Sequence, residues 1–347
     1  MYIKKLLWAV ALIGIVIAAY FAYFVYSAMF KPNTAFNNEI AYIYIPTNAS
    51  YNEVRSQLDT LLIDIGKFDA LAKQKKYISN IKAGKYAIKK GMNNNDIINS
   101  IRSNNIPVKV AFNNQETLED LAGRISTQIE ADSLSLLQAM ASESFLKSNG
   151  FETKTALGMY IPNSYEFFWN TSEEQFRDRM LKEYHHFWNA SRMEKAQALN
   201  LSPTEIMTLA SIVQKETTKV DERPRVAGVY INRLKAGMPL QADPTVIYAI
   251  KEQSGDFKQT IKRVLYKDLE LDSPYNTYKY AGLPPSLITM PDISSIDAVL
   301  NYEKHDYYYF VADINNFGYH KFAKSLAQHN KNRQDYVRWI NQQGVNR

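Results

Sequence analysis

Between Leu6 and Phe30 the sequence carries not one charged side chain, and this run constrains everything that follows it. Lys4 and Lys5 precede the run, and Lys31-Pro32 ends it. As a helix, Leu6 to Tyr26 spans roughly 31 Å at about 1.5 Å per residue, which matches a hydrocarbon core of ~30 Å. Trp8 lies near one end and Tyr20, Tyr23 and Tyr26 near the other, as interfacial rings do. Two lysines before the span against one close behind it place residues 1–5 in the cytoplasm. The span 6–30 then crosses the inner (cytoplasmic) membrane once, and the body of the chain is periplasmic. A cleaved signal peptide is the alternative. Its apolar region normally runs about 7–15 residues, shorter than this one, and Tyr26-Ser27-Ala28 offers only a poor cleavage site.

Composition removes several classes of protein. With 347 residues there is length for two or three domains. Cysteine is absent, so disulfides, thiolate metal sites, cysteine nucleophiles and lipoprotein anchoring are excluded together. The 41 Lys and Arg against 35 Asp and Glu leave a net +6. That balance suits an anionic polymer or a membrane surface and is too diffuse to indicate nucleic acid. The 24 Tyr, 16 Phe and 4 Trp suit core packing and also sugar stacking.

Periodicity divides the outer part into segments of an α+β chain. Residues 31–39 form a polar linker. Ala41–Pro46 alternates as a strand; Val54, Leu58, Leu61 and Leu62 have helical spacing; Ile81–Ile88 is a strand with a bend at Gly84; Ile97, Ile98 and Ile101 mark a further helix. Residues 40–105 are thus a small strand–helix–strand–helix module. Pro107–Phe112 is another strand, and Leu118, Leu121, Ala122 and Ile125 follow on a helix capped by Thr117, giving a second small α/β module over 106–150. A composition change near Glu152–Pro162 opens a larger mixed α+β domain, 151–347.

Chemistry concentrates in that last domain. Ser202-Pro203-Thr204-Glu205 is a helix start with a cap, a proline at the first helical position and a capping-box acid. The helix runs to Thr217 with an apolar stripe of Ile206, Leu209, Ala210 and Val213. Glu216 lies seven residues after Leu209, within about 20° of the same face. A carboxyl on an apolar stripe is costly unless neutral or paired, and desolvation raises its pKa toward that of a general acid. The bland alternative is a frayed, solvated last turn, or a pair with Arg223 or Arg225. Val226–Leu234 is a helix in which Gly228 permits close approach. Gln241, Asp243 and Thr245 follow in a loop, Ser273–Tyr278 and Gly282–Pro285 are rigid loops, and Tyr307–Ala312 is an aromatic strand answered by His320-Lys321-Phe322 after the turn at Asn315–Gly318. Amides and tyrosines around one glutamate suit a sugar cleft. No HExxH, Walker or GxSxG motif is present, so no metal and no cofactor is expected.

These segments resemble the YceG-like family of membrane-bound endolytic murein transglycosylases. The resemblance is carried by Leu209–Thr217, Glu222-Arg223-Pro224, Val226–Val229, Ile231–Leu234, Gly237–Val246, Ser273–Tyr278, Gly282–Pro285, Tyr309–Ala312, His320 with Phe322, and His329-Asn330, in family order. Residues 40–105 look like the family's LysM-like module. The chain departs from the family pattern at Gln214, where an acid is frequent, at Ile161–Tyr165, at Ser286-Leu287 and at Tyr302.

The resemblance implies a catalytic Glu216 that cleaves the MurNAc–GlcNAc β-1,4 bond within peptidoglycan strands and leaves 1,6-anhydromuramic ends. It also implies peptidoglycan synthases as partners, with the enzyme limiting the length of nascent strands. Gln241, Asp243, Thr245, Asn276 and Tyr278 are expected to orient the sugar and its acetamido group, while Glu222 pairs with Arg223 or Arg225. Two rivals stay open. One is a hydrolytic muramidase in which Asp243 assists water. The other is a non-enzymatic, membrane-anchored glycan-binding scaffold.

Overall fold

The computed structural model describes residues 2–342. Met1, the first residue of the expected cytoplasmic end, and residues 343–347, the last of the expected catalytic domain, lie outside the described residues. The architecture is mixed α+β, as expected. In chain order it comprises α1 (Tyr2–Phe30), β1 (Ile40–Ile45), α2 (Tyr51–Asp59), α3 (Ile65–Gln74), β2 (Gly84–Lys89), α4 (Asn94–Ser103), β3 (Pro107–Phe112) and α5 (Leu118–Ser126). There follow α6 (Ser133–Met140), α7 (Glu143–Ser148), β4 (Asn163–Phe168), α8 (Glu173–Phe187), α9 (Ala190–Ala198), α10 (Pro203–Glu216) and α11 (Arg223–Lys235). The chain ends with α12 (Asp243–Ser254), α13 (Ile293–Leu300), β5 (Tyr309–Ala312), β6 (His320–Ala323) and α14 (Leu326–Gln342). The residues group into two compact units. The first holds the chain up to Val110 with Thr127–Ala131 and Tyr165–Ser172; the second holds Ala111–Ser126, Asp132–Ser164 and the chain from Glu173 onward. Residues 106–150 are therefore shared between the two.

In the first unit, α1 is long and apolar enough to cross a membrane. Its large apolar side chains from Tyr2 to Phe24 are exposed. That surface is unfavourable in water and at home in hydrocarbon. The C-terminal end of α1 packs against α3 and α4 and buries Ser27 and Ala28. Asn94 Nδ2 donates to the Ala28 carbonyl at 2.8 Å, and Asn33 Nδ2 donates to Asn94 Oδ1 at 2.7 Å. The stretch 31–39, expected as a plain linker, is thus pinned: Asn33 also accepts from Asp64 N, and Thr34 bridges to Leu62.

Beyond it, β1 pairs antiparallel with β2 from Ile40↔Lys89 to Ile45↔Gly84. Ile43 and Ile45 face inward while Tyr42 and Tyr44 face out. Helices α2, α3 and α4 close over the inner face around Val54, Leu58, Phe68 and Ile98. Sequence reading passed over α3, although Asp64 caps it by accepting from Lys67 N and Phe68, Leu71 and Ala72 form its buried side.

The second unit is organised on α10. Both halves of the expected capping box are present, and Pro203 takes the first position. The helix is buried on every side from Ile206 to Val213, not along one stripe, because α9, α11, α12 and α13 all pack on it. Its polar positions are satisfied within the core: Ser211 Oγ donates to Thr208 O at 2.7 Å and accepts from Ile288 N at 3.0 Å. Gln214 is half-buried near the end of the helix. Its Oε1 accepts from Asp292 N and from Ser295 Oγ, and so caps the start of α13.

Helix α11 holds the strand segment that follows α13. Asn232 Nδ2 donates to the carbonyls of His305 and Tyr307 at 2.8 and 3.0 Å, and Arg233 Nε donates to Tyr308 O at 2.7 Å. Strand β5 then pairs antiparallel with β6 from Tyr309↔Ala323 to Ala312↔His320. Gly228 lies under this segment as expected. A Cβ there would sit 2.4 Å from the Glu303 carbonyl and 2.6 Å from His305 Nε2. Gly228→Ala is therefore expected to destabilise by about 1–3 kcal/mol, as overpacking of a tight contact does. Denaturant unfolding checks it, and an unchanged midpoint would show that the 303–305 segment moves away at no cost.

Candidate active site

Glu216 is the last residue of α10. That position has two consequences. The residue still belongs to the buried helix, and it faces the helix's carbonyl end, where partial negative charge opposes a carboxylate. Glu216 is half-buried, and burial pushes its carboxyl up from the ordinary 4.5 to about 7. Nearby Asp243 pushes the same way. The Tyr230 hydroxyl, which donates to Glu216 Oε1 at 2.7 Å, opposes the rise, as do the charges of His320 and Arg233. The expectation of a partly dehydrated acid is met. The solvated alternative is not, and neither is pairing with Arg223 or Arg225: Arg223 bonds Ser294 Oγ at 2.7 Å and lies 3.5 Å from Asp292, while Arg225 pairs with Glu303 at 3.0 Å.

Asp243 approaches from the opposite kind of helix end. It is the first residue of α12, not a loop residue as expected, and the open N–H groups of that turn favour an anion. Tyr278 donates its hydroxyl to Asp243 Oδ1 at 2.5 Å. Burial, then the bond to Asp243, pushes the Tyr278 phenol up, and burial with Glu216 does the same to Tyr230. Both phenols are therefore donors at neutral pH. Two acids, each held by a tyrosine and electrostatically coupled to one another, form the centre.

The other expected site residues divide. Gln241 is exposed with φ at +51°, and its backbone N–H bonds Thr277 O at 3.0 Å, which leaves the side chain on the rim. Thr245 is buried; its hydroxyl bonds Ala242 O at 2.7 Å and Thr277 Oγ1 at 2.8 Å. Asn276 is buried as well. Its Nδ2 donates to Leu269 O and Leu271 O, and its Oδ1 accepts from Tyr278 N at 3.0 Å. Thr245 and Asn276 spend their polar atoms inside the fold and set the backbone that carries Asp243 and Tyr278. The reason is burial: a core amide or hydroxyl must find protein partners.

Two groups near the acids escaped sequence reasoning, and a third was given the wrong partner. Tyr230 lies on the buried face of α11, where an isolated tyrosine reads as core. Arg233 is buried; besides Tyr308 O it donates to Pro239 O and Leu240 O, tying α11 to the loop before α12. Glu222 was expected to pair with an arginine. It binds His320 instead, accepting from the backbone N at 2.6 Å and from Nδ1 at 2.8 Å. Burial alone would raise the Glu222 carboxyl, but the bonds from His320, with help from Thr217, hold it below its ordinary value. Arg223 and Arg225 are drawn away by Asp292 and Glu303, and the strand β6 delivers His320 from 98 residues downstream. Among the described residues no cluster of three or more His, Asp and Glu is arranged to hold a metal ion.

The raised acid has a measurable signature. The folded protein holds the Glu216 proton more tightly than the unfolded chain, so stability falls as pH climbs from about 4.5 to about 7 and levels off above. Glu216→Gln lacks this loss. Its stability advantage over the wild type is expected to open across that window and reach up to about 3 kcal/mol. Parallel unfolding curves from pH 4 to 8 test it; a constant difference would mean an ordinary carboxyl.

The chain as a whole is similar to known proteins. The YceG-like family matches residues 43–335. An endolytic murein transglycosylase of Bacillus subtilis (strain 168) is 32% identical over 320 residues, covering 85% of this chain and 84% of that protein. A protein of the same name from Streptococcus pneumoniae (strain R6) is 28% identical over 92% of this chain, which spans only 62% of its length. The 2.6 Å crystal structure of a yceG-like protein from Listeria monocytogenes superposes with a TM-score of 0.56 at 30% identity, covering 85% of this chain and 99% of that one.

Proposed function

The chain belongs to the YceG-like family, and from that premise we propose that it is an endolytic murein transglycosylase acting on peptidoglycan strands. The observation that carries this reading is the Glu216 carboxyl, held at about 7 beside Asp243 and bonded by Tyr230. At neutral pH a large share of such groups is protonated, as a general acid must be, and the conjugate base is strong enough to take a proton back.

In the proposed reaction Glu216 protonates the glycosidic oxygen leaving N-acetylmuramic acid. Positive charge grows on C1, and the sugar's own N-acetyl oxygen stabilises it. The carboxylate left at Glu216 then accepts the proton of the C6 hydroxyl as that oxygen closes on C1. The product is a 1,6-anhydromuramic end, with no water consumed. The internal hydroxyl gains from proximity. Asp243 and Tyr278 orient the acetamido group, Gln241 contacts the sugar at the rim, and Thr245 and Asn276 act through the loop they hold.

The same reading gives the rest of the chain its place. Helix α1 anchors the protein, the body lies on the outer side of the membrane, and residues 40–105 serve as a LysM-like module. Its own core and strand pair support an independent unit. An anchored endolytic enzyme works on strands near the membrane, where synthases extend them. Asp243 also keeps the hydrolytic alternative testable, because a muramidase yields reducing ends heavier by one water.

Digestion of purified glycan strands with wild-type protein is expected to give anhydro ends by mass spectrometry, and Glu216→Gln to lose at least ~100-fold in rate. Full activity in that variant, or reducing ends from the wild type, refutes the mechanism. The rate should fall as pH rises through about 7, where Glu216 loses its proton. Tyr230 stabilises the charged form, so Tyr230→Phe is expected to move this alkaline limb upward. A limb that stays in place assigns the titration to another group.

A further inference from the structure

The second unit holds a cleft that nothing in the reaction above uses. It has a volume of about 550 Å³, within the ~300–1,000 Å³ usual for ligand sites. Its lining includes Glu116, Lys215, Pro244, Tyr248, Lys251 and Phe257. Lys215 precedes Glu216 in the chain and Pro244 follows Asp243, so chain neighbours of both acids line the cleft, though not the acids themselves.

The floor is a built charge cluster. Glu116 bridges two ammonium groups, accepting from Lys215 at 2.6 Å and from Lys251 at 2.7 Å. Lys251, whose side chain is only 12% exposed, also donates to Phe257 O at 3.1 Å. Burial alone would raise the Glu116 carboxyl, but the two lysines hold it below its ordinary value. Each ammonium has three donors, so Lys215 keeps two and Lys251 one beyond these bonds. Counting the lining as a whole, Lys215, Lys251 and Lys258 face Glu116 and Asp120, which leaves one positive charge in excess. The walls are apolar and aromatic: Tyr248 meets Phe257 edge to face at 5.6 Å, with Ile247, Ile261 and Ile288 around them.

The lining also holds three amides, but Asn114 Nδ2 donates to Met290 O and Asp292 Oδ1, Gln115 Nε2 to Asn113 O, and Gln259 Nε2 to Ser254 Oγ and Asp256 O. With those donors used within the fold, the lining suits a short peptide, with apolar contact for side chains, ammonium donors for a carboxylate, and a carboxylate acceptor for peptide N–H or amine. Murein supplies that ligand next to the scissile bond, because N-acetylmuramic acid carries a stem peptide ending in carboxylates. We propose that this cleft is the stem-peptide site, and that the enzyme selects strands whose muramic residues still bear peptides. The proposal rests on the glycan-cleaving reading above.

The test uses the full chain in detergent micelles and two substrates, intact peptidoglycan strands and the same strands stripped of peptides by an amidase. Wild-type kcat/KM is expected to favour intact strands by about 10-fold, the effect of one charge-assisted hydrogen bond. Lys251→Met should bring the ratio to within about 2-fold of one. Lys258→Glu reverses a charge at the exposed rim without touching the floor; it should lower the ratio as well, and it guards against a folding defect in the first variant. A wild-type ratio near one overturns the proposal, as does an equal loss by Lys251→Met on both substrates, which would mean that sugar fills the cleft. Failure of the wild type to cut either strand would overturn the activity itself, and this site with it.

Discussion

One hydrogen bond, from Tyr230 to Glu216 at 2.7 Å, is the contact on which the rest of the centre depends. It fixes a carboxyl that helix position and burial both push toward its neutral form. Without the tyrosine the acid would be neutral but loosely placed; with too many donors it would be ionised and useless as an acid. The buried helix around it serves this balance. Ser211, Thr208 and Gln214 of α10 all find partners within the fold.

The two acids sit at opposite kinds of helix end. Glu216 ends α10, whereas Asp243 begins α12. Burial raises the Glu216 carboxyl, and the carbonyl end of a helix works in the same direction. The loop 273–278 completes the arrangement: Asn276 and Thr245 hold the chain so that Tyr278 reaches Asp243. The polar residues nearest the chemistry are therefore supported by equally polar residues one layer behind.

Much of this was legible in the sequence where its cause is local. The capping box at Ser202, the seven-residue return from Leu209 to Glu216 and the close approach at Gly228 depend on neighbours along one or two helices, and each was found. What was missed depends on partners distant in the chain. Glu222 finds His320 across 98 residues and Gln214 finds Asp292 across 78, and no spacing rule announces either. Thr245 and Asn276 have the right residue types for sugar binding, and only burial shows that the fold consumes them. The all-round burial of α10 was hidden for the same reason: its second apolar face is masked in sequence by small and hydroxylic residues whose bonds turn inward. Helix α3 is a different failure, since its cap and buried side were in view and simply not read.

The central claim is that Glu216 titrates near neutrality in the folded chain. The most direct measurement is a 13C NMR titration of the glutamate side-chain carbonyls, with the Glu216 signal assigned by its absence in Glu216→Gln. A midpoint near 7 is the predicted result. A midpoint near the ordinary glutamate value of 4.5 would contradict the account, because a carboxyl ionised throughout the neutral range has no proton to give.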